Sequence, residues 1–321
     1  MRVLVVGHGR SATSWVGSVL GATGGAAFVY EPDDARWVPF AIRAMARQGS
    51  LPVLRAEDRG SSQLTRLWDV AFGTRPVRYV RGQHRLSLKV LHSGNDDDRL
   101  GVISPDQRLT VRLRLAGLLG VPRHVGDPAV HHVVKSVRAP LMLDWIRARW
   151  NPTVVICFRH PLEVVASVLE AGFVGPTGKD LLERMSAAAR SYGTDVYGVP
   201  EPTGDDPVAY TAWRVGLVMS ALDDARRAHP EFHLVEHGVV CEDPVGRFRE
   251  LAAALGLEWS SNAEELVVAS NQPGGTFETR RVASEQKDRW RMRLPSEDVS
   301  TARHVLAQFP IATRYEADLR T

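Results

Sequence analysis

The sequence predicts an α/β fold, a three-layer sandwich with a central, mostly parallel sheet flanked by helices. Three observations predict it. Apolar, β-branched runs alternate with segments of helical spacing along most of the chain. The first of these runs, Val3-Leu4-Val5-Val6-Gly7, passes through a loop of small residues directly into a helix. The composition, 44% hydrophobic and 24% charged over 321 residues, is that of a globular chain with enough length for one large domain or two small ones. The alternation along most of the chain is read as one domain over residues 1–321.

Taken in order, Val3 to Gly7 is a buried strand and Trp15, Val16, Val19 and Leu20 mark the helix after it. Ala27 to Tyr30 is a short strand, and Leu86 to Leu91 is a weaker strand candidate. His131 to Lys135 and Thr153 to Phe158 are strands, the second rich in β-branched residues. Pro140 to Trp150 between them has helical spacing, with Leu141, Trp145 and Ile146 on one side. Pro161 opens the next helix, where a missing N–H costs nothing. Helices follow at Pro207 to Arg227, Val245 to Leu255 and Ser296 to Gln308, with a last strand at Phe232 to Glu236. Two stretches break the alternation. Residues 95–114 are charged and irregular at their start, and 172–207 are rich in Gly, Pro and Asp. Both are expected to be insertions that cover an acceptor pocket.

Charge narrows the function. Forty Lys+Arg against 37 Asp+Glu leave a formal +3, which disfavours a polybasic binder of nucleic acid or membrane. Only four of those cations are lysines: Lys89, Lys135, Lys179 and Lys287. The two cysteines, Cys157 and Cys241, cannot form a disulfide framework, and Cys157 reads as a buried thiol. The uncharged stretch Ser11 to Tyr30 contains four glycines and five Ser/Thr, so it is a poor membrane span. With a strand starting at Val3 there is no room for a signal peptide, and the expectation is a cytoplasmic protein. His131-His132 and Asp96-Asp97-Asp98 lack metal-ligand spacing, and no metal is expected.

The sharpest local feature is Gly7-His8-Gly9-Arg10-Ser11-Ala12-Thr13-Ser14-Trp15, set between a strand and a helix. Small residues let backbone N–H groups converge on an anion, and the helix N-terminus adds a favourable dipole. Arg10, Thr13 and Ser14 add a cation and two hydroxyls. The plain alternative is a capped strand–helix turn. A nucleoside triphosphatase would carry Gly-Lys-Ser/Thr here, and this loop does not. A second feature is the strand Val154 to Phe158 ending in Arg159-His160-Pro161, with Ser167 eight residues after Arg159. An arginine at a strand's C-terminal end stands where open α/β sheets bind ligands, and its guanidinium can grip a phosphate through two bonds.

Together these motifs resemble the sulfotransferases that use 3′-phosphoadenosine 5′-phosphosulfate (PAPS), closest in style to bacterial and carbohydrate-type members. The first resembles their 5′-phosphosulfate loop, often Arg-Ser-Gly-Thr-Thr-Trp, with Ala12 at the middle glycine. The second resembles their Arg-x-Pro strand end with a serine that helps hold the 3′-phosphate. Looser likenesses are Lys135-Ser136-Val137-Arg138, Glu236 with Asp243-Pro244 and Leu255-Gly256-Leu257, and Trp290-Arg291 before Leu294. The resemblance spans Val3 to about Gln308 and implies a P-loop-like fold. It also implies PAPS as donor with 3′,5′-bisphosphoadenosine (PAP) as product, and a small-molecule hydroxyl as acceptor, on a carbohydrate or natural product.

The resemblance also implies roles. Gly9, Ser11 and Ala12 lend loop N–H groups, while Arg10 neutralises the 5′-phosphate and the leaving oxygen. Thr13 and Ser14 bond phosphosulfate oxygens, and Trp15 lies against adenine or in the core. Arg159 and Ser167 hold the 3′-phosphate, with Arg280, Arg281 and Lys287 as further candidates. Lys135 reaches the sulfuryl group or the acceptor. One branch of the family takes the proton with a histidine two residues after such a lysine, but that position holds Val137. The carbohydrate branch uses a glutamate after the short second strand, and Tyr30-Glu31-Pro32 resembles its Phe-Glu-Pro. Glu31 is thus the expected general base, with His8 the runner-up, and His160 is read as structural. Two rival readings stay open: a nucleotide kinase or other phosphotransferase, and a non-catalytic nucleotide-binding protein. A homodimer is compatible with the sequence.

Overall fold

The computed structural model describes residues 1–74, 81–93, 109–122, 131–273 and 289–319. Its centre is a five-stranded sheet of β1 (Arg2–Gly7), β2 (Ala26–Tyr30), β3 (His131–Ser136), β4 (Thr153–Phe158) and β5 (His233–Glu236). The order is β2-β3-β1-β4-β5 and every pairing is parallel, as the alternation predicts. Register places Val5 between Lys135 and Val155, and Tyr30 opposite Lys135. All five strands therefore end at one edge of the sheet, and the chain leaves β1 and returns on both sides of it.

Helices follow in chain order. After β1 comes α1 (Thr13–Gly21), and after β2 come α2 (Ala41–Met45), α3 (Ser62–Ala71), α4 (Arg81–Leu91) and α5 (Val111–Leu119). Between β3 and β4 lies α6 (Leu143–Trp150), and between β4 and β5 lie α7 (Pro161–Glu170), α8 (Asp180–Glu183), α9 (Ala187–Tyr197) and α10 (Pro207–Ala228). The last strand leads into α11 (His237–Glu242), α12 (Pro244–Ala254) and α13 (Ser261–Ser270). The C-terminal helices are α14 (Trp290–Arg293), α15 (Ser296–Leu306) and α16 (Glu316–Leu319).

Strand alternation sorts the core into two layers. Val3, Val5, Val133, Val155 and Cys157 face Val16, Val19 and Leu20 of α1, Phe248 of α12 and Val267 of α13. Leu4, Val6, Val134, Ile156 and Phe158 face the larger layer, which includes Ile42, Trp68, Trp145, Leu162 and α10. The uncharged stretch after β1 is explained by this packing: a Cβ on Gly17 would lie 2.6 Å from the Phe28 ring, so α1 sits directly on β2. Pro161 and Pro207 occupy the first turns of α7 and α10, and Asp206 caps α10 by accepting from the N–H groups of Val208 and Ala209. No described helix is long and apolar enough to cross a membrane.

Two expectations need correction. The strand candidate Leu86 to Leu91 lies inside α4. Its Leu-Ser-Leu-Lys-Val-Leu pattern fits either period, and packing decides for helix: Leu91 is buried with Leu88 and Val90 against the core, while Leu86 faces out. The stretch 172–207 is not irregular throughout, since α8 and α9 fold within it and bury Leu181, Leu182, Met185 and Ala189. Ser186 caps α9 by accepting from Ala189 N–H. Most of 95–114 lies outside the described residues, and its described end begins α5.

Candidate functional site

At the C-terminal edge of the sheet the ends of β1 to β4 open on one cavity of about 900 Å³. Among the residues lining it are nine Lys or Arg side chains and two carboxylates, Glu31 and Glu170. A near-neutral chain thus concentrates positive charge in one place, which suits an anionic ligand.

The loop after β1 forms one wall. Arg10 and Ala12 have positive φ (73° and 63°), the left-handed backbone that turns successive N–H groups inward. Ala12 stands where the resemblance expects glycine, and its φ gives the reason for glycine there. Ala12 is also the N-cap of α1 and supplies no side-chain cap, so the first N–H groups of the helix are not taken by it. His8, Gly9, Arg10, Ala12, Thr13, Ser14 and Trp15 all line the cavity. Ser11 does not: its side chain is buried and its N–H donates to His8 O at 3.2 Å. Trp15 shows the cavity one part of itself while its ring stands edge-on to Phe248 at 4.9 Å.

The second motif meets the first across β1 and β4. Arg10 Nε donates to Ser167 Oγ at 2.8 Å, and Arg159 Nη1 donates to the Arg10 carbonyl at 3.3 Å. Arg159 Nη2 donates to Glu163 Oε2 at 2.8 Å, whose other oxygen accepts the Trp290 N–H at 3.0 Å. Nε of Arg159 is buried with no partner among the described residues. Burial holds the Arg159 guanidinium below the usual arginine range; Glu163 opposes that shift and Arg293 adds to it. The Trp-Arg element is therefore docked on the second motif. His160 is part of that dock: it stacks on Trp290 at 5.8 Å and meets Tyr315 edge-on at 5.0 Å, as its structural reading expects.

Opposite, the residues after β2 are joined one for one to those at the end of β3 and just beyond it. Glu31 pairs with Lys135, Asp33 Oδ2 accepts from Ser136 Oγ at 2.6 Å, and Asp34 pairs with Arg138 at 3.2 Å. Glu31 and Lys135 are both buried, and Lys135 Nζ also lies 4.6 Å from the Tyr30 ring centre. Glu31 has a φ of 39° and donates its N–H to the Lys135 carbonyl at 2.9 Å. Burial pushes the Asp33 carboxyl up to about 6, against the pull of Arg138 and Ser136. Burial would raise Asp34 too, but Arg138 and Arg36 outweigh it and hold that carboxyl below its usual range.

His8 is buried between the two walls. Burial, with Arg214 nearby, pushes it down to about 4, so it is neutral at pH 7. Its Nδ1 lies 2.6 Å from Gly9 O, and its Nε2 has no partner among the described residues. Arg280, Arg281 and Lys287 lie outside the described residues. From the same part of the chain Arg289 and Arg293 line the cavity, which sequence reasoning missed. It also missed Arg36, Trp37, Arg184, Arg214 and His237. Arg214 had a readable signal: it is the only charged residue between Val208 and Leu222 of an otherwise apolar helix. His237, pushed down to about 3 by burial and by Arg159, lies 3.5 Å from Cys241 Sγ and carried no such signal. No group of three or more His, Cys, Asp or Glu suited to a metal occurs among the described residues.

No protein-family profile matches the chain, and no curated protein matches it. Among solved structures it is similar to sulfotransferase STF1 from Mycobacterium tuberculosis H37Rv, with 16% identity, a TM-score of 0.36, and 90% of this chain and 76% of that one covered. It is also similar to sulfotransferase STF9 from Mycobacterium avium, with 12% identity, a TM-score of 0.39, and 98% and 76% covered. At these values the likeness does not assign an activity, which has to come from the site's own chemistry.

Proposed function

We propose that this protein is a PAPS-dependent sulfotransferase that sulfates a hydroxyl of a small-molecule acceptor, on a carbohydrate or natural product, with Glu31 as general base. The observation that carries the reading is the convergence of the first two motifs with Glu31 and Lys135 on one cationic cavity, the motifs joined by the Arg10–Ser167 bond. The cavity residues fit the donor. The left-handed backbone at Arg10 and Ala12 makes an anion cradle, and nothing lies within 4 Å of where a Gly9 Cβ would stand. The Nε of Arg159, buried with no partner among the described residues, is a donor suited to an anion.

PAPS supplies a sulfuryl group on a phosphate that departs as the acceptor oxygen attacks sulfur. The loop N–H groups with Arg10, Thr13 and Ser14 hold the 5′-side oxygens, and Arg159 with Ser167 holds the 3′-phosphate. Glu31 takes the hydroxyl proton while the acceptor oxygen bonds to sulfur. Once Glu31 is neutral its hold on Lys135 weakens. That frees the ammonium to follow the negative charge to the leaving oxygen. Lys135 thus orients the base before the step and stabilises charge during it.

A nucleotide kinase is disfavoured by the chain itself, because β4 delivers Arg159 where a magnesium-binding carboxylate would stand and the loop lacks Gly-Lys-Ser/Thr. A non-catalytic nucleotide binder is less favoured, because Glu31, Lys135 and Arg10 stand together on the cavity wall. The test is sulfuryl transfer from sulfur-labelled PAPS to a panel of hydroxyl acceptors, with Glu31→Gln alongside. The variant should lose about 10²–10⁴-fold in turnover with near-normal PAP binding. Unchanged turnover would move the proton to His8 or to water. Labelled product from no acceptor, with ATP hydrolysed instead, would favour the phosphotransferase.

A further inference from the structure

Besides Glu31, Lys135 and Arg159, the cavity wall carries Arg138, Arg184 and Arg214, and the first two are near enough to act on the charge of the third. Two of them are already matched with carboxylates: Arg138 with Asp34 at 3.2 Å and Arg184 with Asp180 at 2.8 Å. Arg214 forms no ion pair among the described residues; its hydrogen bond goes from Nη1 to Ser50 Oγ at 3.3 Å. Burial, then repulsion from Arg138 and Arg184, pushes its guanidinium down to about 10, with Asp180 opposing. A desolvated cation among like charges costs stability, and the residues around it on α10 are largely apolar. A bound anion would remove that cost.

The donor does not supply this anion in the proposed arrangement. Its 5′-side oxygens are served by the β1–α1 loop, and its 3′-phosphate by Arg159 and Ser167. Arg214 lines the same cavity as His8 of the β1–α1 loop and is near enough to help hold that ring neutral. Trp37, 48% exposed on the cavity lining, offers an apolar face at the same mouth.

We propose that Arg214, with Arg138 and Arg184, forms an anion subsite for the acceptor, so that the substrate class is hydroxyl compounds carrying a carboxylate or a comparable anionic group. This rests on the sulfotransferase reading, and the test separates the two. Isothermal calorimetry compares 4-hydroxybenzoate with its neutral analogue 4-hydroxybenzamide, on the wild-type protein with and without saturating PAP. The carboxylate should bind at least about 10-fold more tightly than the amide. Arg214→Gln should bring that preference near unity and leave PAP affinity within about twofold, whereas Arg214→Lys should keep part of the preference. Equal binding of the two probes to wild type, or an undiminished preference in Arg214→Gln, overturns the proposal. So does a loss in Arg214→Gln of affinity for PAP, or for PAPS relative to PAP, since either would assign the cluster to the donor. If PAP fails to bind wild type, the donor reading falls, while the carboxylate preference in PAP-free protein still reads the anion subsite.

Discussion

On the β1–β4 side of the cavity, binding groups are supplied by a short loop and a strand end, and backbone conformation does much of the work: left-handed residues at 10 and 12, an arginine leaving β4, a serine on α7. On the β2–β3 side, side chains do the work, as Glu31, Asp33 and Asp34 are matched to Lys135, Ser136 and Arg138 from a segment about a hundred residues later. The first wall is made of donors on two short segments, the loop after β1 and the start of α7, that lie about 150 residues apart. The second is a zipper of buried charges whose members hold one another. Damage to the first should therefore appear as lost donor affinity, and damage to the second as lost stability and turnover together.

The largest stability effect should come from breaking the zipper. Asp34→Asn removes a carboxylate that pairs with Arg138 and weakens the three hydrogen bonds from the Arg36 side chain, leaving the buried Arg138 charge less compensated. We expect a loss of about 3–5 kcal/mol in urea unfolding, with turnover reduced and PAP affinity little changed in what remains folded. A loss under about 1 kcal/mol would mean the charges are not cooperating. On the other wall, Arg159→Gln should raise the Kd for PAP by about 10–100-fold, the worth of a charge-assisted bond or two. It should leave adenosine 5′-monophosphate, which lacks the 3′-phosphate, almost unaffected. Equal weakening of both nucleotides would detach Arg159 from the 3′-phosphate. The smallest effect tests backbone strain: Ala12→Gly relieves a left-handed residue and should stabilise the protein by up to about 1 kcal/mol. A destabilised variant would show that Ala12 is not strained.

Sequence reasoning read the first wall more fully than the second. Strands β1 and β4 were legible because buried parallel strands are plain apolar runs, and the loop and Arg159 sit directly at their ends. Glu31 and Lys135 were legible one at a time, but their ion pair was not, since it depends on β2 lying beside β3. Asp33 and Asp34 could not be separated from ordinary surface carboxylates, because their burial is a tertiary fact. Helix α4 was misread because a short alternating run fits both periods until a neighbouring helix buries one side. Arg214 marked itself by being alone among apolar residues, a signal that charge counting over the whole chain averages away.

The central claim, that the cavity is built for a 3′-phosphorylated adenine nucleotide, is tested most directly by thermal unfolding of the wild-type protein with PAP or with ATP and magnesium at equal concentrations. Ligand that binds only the folded state stabilises it in proportion to the logarithm of its concentration over Kd. PAP at about 100 times its Kd should stabilise the fold by about 2.7 kcal/mol, visible as a clear rise in Tm, while ATP with magnesium should do much less. Equal stabilisation by both, or none by PAP, would contradict the account.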